Sequence, residues 1–210
     1  MTEHLTMNTI IHAAFRRDMK RFGDALAAFA PGDQKRASDL GRAWDNFAYQ
    51  LHHHHDDEET IFWPAFEKVG VDPKLVEELE GEHDRMSAAL VGAEGAMKVF
   101  TTDPSQTSLD SARGAIAELQ VVLDEHLKHE ERDLEPWSAT QMKKPELKAA
   151  QAAVRKAHKG GAGTFASWLL DGADADATAA LKREFPAPVL VVLTRGPGRR
   201  YRKEIAPIWK

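Results

Sequence analysis

The chain has 210 residues, 42% hydrophobic and 29% charged, which allows one filled core with an appendage and excludes a disordered or fibrous protein. A net charge of −5 gives no general reason to expect nucleic acid as a partner. The chain contains no cysteine, so disulfides, thiolate zinc sites, iron–sulfur ligation and cysteine nucleophiles are excluded, leaving His, Asp and Glu as candidate metal ligands. Ala, Leu, Glu and Lys are frequent, and an all-α fold follows. The first predicted helix runs from about Thr9 to Phe29 and stops before Pro31-Gly32, a turn pair that cannot continue it. The second follows the polar stretch Gly32 to Ser38 and carries Trp44, Phe47 and Leu51 at helical spacing up to Trp63-Pro64. Asp72 as N-cap and Pro73 at the first helical position open a third helix that reaches about Phe100. After the polar segment Thr101 to Ser108, a fourth helix sets Ile116, Leu119 and Leu123 on one stripe and runs to Pro136.

Aligned on their prolines, the second and fourth helices repeat one another. Phe47, Leu51, His54, Glu58, Phe62 and Pro64 match Leu119, Leu123, His126, Glu130, Leu134 and Pro136. The first and third helices match as well, with His12, Phe15, Met19 and Leu26 against His83, Met86, Leu90 and Met97. A duplicated helix pair folded on itself predicts an antiparallel up-down four-helix bundle over residues 1–142, followed by a helical extension over 143–210.

Each repeat sets a His on an apolar stripe and then, in the next helix, a His and a Glu four residues apart. Residues so spaced have Cβ atoms roughly 5 to 6 Å apart, so both side chains reach one point inside the bundle. An uncompensated carboxylate in such a core costs several kcal/mol, and a divalent cation removes that penalty. A single His on an apolar face is ordinarily a hydrogen-bonded core residue. Six ligand-type residues in matching positions, His12, His54, Glu58, His83, His126 and Glu130, point instead to a metal centre. Within His52-His53-His54-His55 only one or two rings can face the core, because successive helical residues are about 100° apart. The repeat register selects His54 with Glu58. His55 and His129 stay auxiliary candidates, with surface exposure the favoured reading for each. His129-Glu130-Glu131-Arg132-Asp133 ends in Asp where a zinc-protease helix requires His, and ferritin-like centres require more carboxylates than this pattern offers.

These residues, together with Phe62-Trp63-Pro64 after the first pair and Pro136 after the second, resemble the hemerythrin family, in particular its single-chain proteins with a His-His-Glu cation-binding domain. The resemblance implies two non-haem irons, oxo- or hydroxo-bridged, with His12, His54, His83 and His126 as terminal ligands and Glu58 and Glu130 bridging. Nitrogen and oxygen ligands suit iron or manganese, so the metal's identity rests on the resemblance. Oxygen carriers of the family have a fifth His one turn after the third-helix ligand, and here that position is Ser87. The resemblance therefore implies an open site that senses or decomposes a small oxidant, with oxygen, peroxide and nitric oxide as candidates, rather than reversible oxygen transport. Phe15, Phe47, Phe62, Met19 and Met86 are expected to keep water from it. Iron sensing or storage without turnover is the alternative, and a structural interaction module the third.

Beyond Pro145 the chain reads as short helices broken at Gly160-Gly161 and at Pro186 to Pro188. Arg195, Arg199, Arg200, Arg202 and Lys203 suggest attachment to an anionic membrane surface or an acidic partner. The favoured reading is that this segment packs its apolar side across the bundle and leaves its charges in water. His158 lies outside the repeat and is not expected to bind metal. No run of apolar residues is long enough to span a membrane and the first residues do not form a secretory leader, so a cytoplasmic location is expected.

Overall fold

A computed structural model describes residues 5–210, so the first four residues of the expected 1–142 domain lie outside the described residues. The described chain is helical with no strand. Its elements are α1 (Met7–Ala27), α2 (Gln34–Asp57), a π-helical turn (Glu58–Phe62), α3 (Trp63–Val69), α4 (Pro73–Thr102), α5 (Gln106–His129), a second π-helical turn (Glu130–Leu134), α6 (Glu135–Gln141), α7 (Pro145–Ala157), α8 (Ala162–Leu170), α9 (Ala175–Glu184), α10 (Ala187–Arg195), α11 (Arg199–Glu204) and a final 3-10 turn (Ala206–Trp209). No helix among the described residues is long and apolar enough to cross a membrane. The chain divides into two compact units, one of residues 5–21 with His158–Lys210 and one of Phe22–Ala157.

In the Phe22–Ala157 unit, local chemistry sets the helix ends. Asp33 caps α2 by accepting from Arg36 N at 2.8 Å, so the helix begins at Gln34, inside the stretch expected to be a polar loop. Asp72 caps α4 ahead of Pro73 as expected, and Ser105 caps α5 by accepting from Ser108 N at 3.4 Å. Gly70 ends α3 in the left-handed region at φ 91°, a conformation that favours glycine. Helix α4 packs against both α2 and α5. Phe22, Trp44 and Phe47 form an aromatic cluster with ring centroids 5.3 to 5.8 Å apart. Leu51, Met86, Leu90, Leu119 and Leu123 are buried with them. Each such side chain contributes about 1.5–3 kcal/mol of hydrophobic stabilisation, which holds the helices and therefore the polar groups they carry.

The two π-helical turns have a shared cause. Proline lacks an N–H, and its ring collides with the carbonyl four residues back in an unbroken α-helix. Pro64 and Pro136 would meet the Thr60 and Arg132 carbonyls in this way. Each helix widens just before its proline, so that Trp63 N–H bonds to the Glu58 carbonyl and Glu135 N–H to the Glu130 carbonyl. Helix α7 then packs against α3 and the first π turn, and Leu147 and Ala150 join a core with Trp63, Phe66, Val76, Leu79 and Leu134.

In the other unit, Trp168 of α8 is fully buried and packs on Phe15 at 5.1 Å between ring centroids. Its indole N–H donates to Asp18 at 2.7 Å, while Arg21 donates to both Asp18, at 3.2 Å, and Asp171, at 2.9 Å. The Tyr201 hydroxyl donates to Asp171 at 3.1 Å. Gly163 and Gly198 let α8 and the turn before α11 approach closely: a Cβ on Gly163 would lie 2.6 Å from Gly198 N. Arg195, Arg199, Arg200, Arg202 and Lys203 are exposed.

Candidate metal centre

The last turn of α2 and the π turn after it deliver His54, His55 and Glu58; α4 delivers His83; α5 and its π turn deliver His126 and Glu130. One ligand-type atom from each of His55, Glu58, His83 and His126 lies within 4.8 Å of the others. His54, Glu58 and Glu130 are grouped within the same limit, so Glu58 belongs to both clusters. Glu58, Glu130, His83 and His126 are buried. His54 Nε2 stands 3.3 Å from Glu58 Oε1, His83 Nε2 is 3.6 Å from Glu58 Oε2, and His126 Nε2 is 3.8 Å from Glu130 Oε2.

The His83 and His126 rings meet with Nε2 atoms 3.2 Å apart. Their other nitrogens are occupied: His83 Nδ1 bonds to Glu59 at 2.8 Å and His126 Nδ1 to Glu82 at 3.1 Å. An ionised carboxylate only accepts, so a ring nitrogen bonded to one donates its N–H, and in a neutral imidazole that leaves the lone pair on Nε2. Burial, then the neighbouring His126, pushes His83 down to about 4, so its imidazole is neutral at pH 7 and in the form that ligates metal. Two imidazole nitrogens this close are placed to coordinate one cation together. Glu58 Oε2 is buried with no hydrogen-bond partner among the described residues. Burial, followed by the charge of Glu130, raises the Glu58 carboxyl well above its usual range. These features are those of a nitrogen and carboxylate cage, and the residues present fit divalent cations.

Of the six expected residues, His54, Glu58, His83, His126 and Glu130 fall within these two clusters. His12 is buried on α1, in the unit containing residues 5–21. His55, expected on the surface, lies against the ligand rings instead, 4.4 Å from His83 and 5.6 Å from His126 between centroids. Consecutive side chains His54 and His55 thus reach different clusters on the two sides of Glu58. His52 and His53 do turn outward, His52 to Glu94 at 2.9 Å and His53 onto Tyr49. His129 is half-buried and bonds to Glu82 at 2.7 Å and Asp133 at 3.2 Å, outside both clusters. Phe62, expected in register with the ligands, is half-buried, and Trp63 is the residue stacked on His83. The π turn explains the exchange, since it sets the fifth residue after Glu58, not the fourth, on its face.

The described residues, all-helical and carrying two largely buried His/Glu clusters, define a helical protein with a candidate cation-binding site. The family model described as the hemerythrin HHE cation-binding domain matches residues 9–138, and the chain belongs to that family. No curated protein and no solved structure matches the chain.

Proposed function

We propose that the chain is a non-haem di-iron protein that binds or reduces a small oxidant, oxygen, peroxide or nitric oxide, as a sensor or as a peroxide-decomposing enzyme. The observation that carries this reading is the approach of His83 Nε2 to His126 Nε2, 3.2 Å apart beside Glu58 and Glu130. His55, His83 and His126 are proposed to hold one iron and His54 the other. Glu58 and Glu130 are proposed to bridge. His55 replaces in number the ligand that oxygen carriers have where this chain has Ser87, an exposed position on α4. Short connections between α1 and α2 and between α4 and α5 support an antiparallel up-down four-helix arrangement. The boundary at 142/143 is proposed as functional, because every proposed ligand precedes it.

When bound, two irons would supply open coordination positions and two electrons for the oxidant. The chain's own contribution is orientation and dryness. Phe47, Met86 and Trp63 are buried apolar groups that exclude water, and buried carboxylates compensate the ionic charge within a low dielectric. The small oxidant is the only partner the reading requires, and the cytoplasm is the compartment proposed. The exposed basic residues near the C-terminus are taken as solvated rather than as a membrane or acidic-partner contact.

Metal analysis and an optical spectrum of protein purified from iron-replete cells test the proposal. Iron with near-ultraviolet absorption is expected, together with peroxide turnover that disappears in Glu58→Ala. Iron without turnover, released with loosening of the helices, would favour iron sensing or storage; a colourless protein that binds no metal would remove the proposal.

A further inference from the structure

The two imidazoles that meet at 3.2 Å are each held from behind by a carboxylate outside the clusters. We infer that Glu59 and Glu82 are positioning residues that fix the Nδ1–H tautomers of His83 and His126 and thereby set the affinity of their cluster for a divalent cation. The inference rests on the metal-binding reading above. An imidazole free to choose its tautomer and ring angle would present Nε2–H to the cluster for part of the time, and a protonated nitrogen cannot coordinate. A carboxylate behind Nδ1 removes that freedom and makes Nε2 more basic.

The two carboxylates differ in strength. The Glu59 side chain is 50% exposed and makes its bond to His83 at 2.8 Å partly in water. The Glu82 side chain is only 17% exposed and uses both oxygens, Oε2 on His126 and Oε1 on His129, with Arg85 a further 3.9 Å away. His129 is in turn tied to Asp133 at 3.2 Å, and Asp133 is paired with Arg132. This chain of bonds restrains Glu82 from several sides, so Glu82 should matter more than Glu59. It also gives His129 a role that no direct contact with a cation would require.

Long-range nitrogen–proton correlation spectra of the metal-free full-length protein read the tautomers directly, and anaerobic titration with Co(II) and with Fe(II) reads affinity. Wild-type protein should show Nδ1–H on His83 and His126. Glu82→Ala should lose that tautomer at His126, shift the visible bands of bound Co(II), and bind about ten- to a hundredfold more weakly. Glu59→Ala should do the same at His83 to a smaller degree. Glu82→Gln, whose amide oxygen can still accept from one imidazole, should recover part of the affinity. A purely structural role would lower the melting temperature of the metal-free protein and leave the Co(II) bands in place. Wild-type protein binding both ions, with the Glu82→Ala tautomer, spectrum and affinity unchanged, overturns this inference alone. Wild-type protein that binds neither ion overturns the metal reading and this inference with it.

Discussion

The indole of Trp63 lies stacked on the imidazole of His83, ring centroids 4.5 Å apart and planes inclined by 27°. Trp63 is buried, and its Nε1 has no hydrogen-bond partner among the described residues. The stack closes one side of the cluster with a rigid apolar plate, so Trp63 should report on whatever His83 binds. Co(II) or Fe(II) should quench Trp63 fluorescence strongly. Trp63→Phe should remove most of the quenching seen on titration while leaving the number of bound ions unchanged. Equal quenching in wild type and variant would show that Trp63 is remote from the bound ion.

The prolines that follow the carboxylates should control metal binding without touching metal. Pro64→Ala and Pro136→Ala restore a backbone N–H and remove the ring collision that widens each helix. The α-helical register would rotate the residues after Glu58 or Glu130 by roughly one position. Metal affinity should fall by about tenfold or more, as for other losses of support around a metal site, while the metal-free protein melts no lower than wild type. Cobalt titration beside thermal melts checks both halves; undiminished affinity in both variants would mean that the π turns follow from tertiary packing.

Metal removal should cost stability because the cage is built for charge. Glu58 and Glu130 are buried, the charge of Glu130 helps raise the Glu58 carboxyl, and a bound cation would offset that charge. Free ion at a hundred times its dissociation constant should stabilise the fold by about 2.7 kcal/mol, and a chelator should abolish the gain. Glu58→Gln should invert the pattern, raising the melting temperature of the metal-free protein and cancelling most of the gain from metal. Scanning calorimetry with and without chelator would show it.

In the unit containing residues 5–21 and His158–Lys210, pH dependence should come from Tyr201. Burial, then the charges of Asp18 and Asp171, raises its phenol above the ordinary value. Unfolded tyrosine ionises at about pH 10, so the unfolded state loses its proton first. The stabilisation is therefore fully present below that pH and is lost progressively as the pH rises beyond it. Tyr201→Phe should flatten the alkaline limb of the stability profile, at the cost of about 1 kcal/mol at neutral pH for the hydroxyl bond to Asp171. Denaturant melts between neutral and strongly alkaline pH would separate the two effects, and an alkaline limb unchanged in the variant would assign it to other groups.

Much of the centre could be read along the chain because its information is short-range. His54 with Glu58 and His126 with Glu130 obey the four-residue spacing of one helical turn, and the stripe they share with Phe47, Leu51, Leu119 and Leu123 shows which face is buried. Asp72, Pro73 and Gly70 mark helix ends by local hydrogen bonding and backbone preference alone. What escaped that reading depends on distances between helices. A uniform 100° step leaves His55 beside the cluster-facing His54 with no means of deciding its side; the position of α4 and α5 beyond it decides that it packs on His83 and His126. The π turns break the same step and exchange Phe62 for Trp63. Nothing in the sequence singles out Glu59 or Glu82, and it does not show that α7 packs with Trp63 and Leu79. Their partners lie 24 or more residues away for the two carboxylates, and a contact of that kind exists only once side chains from several helices have been packed against one another.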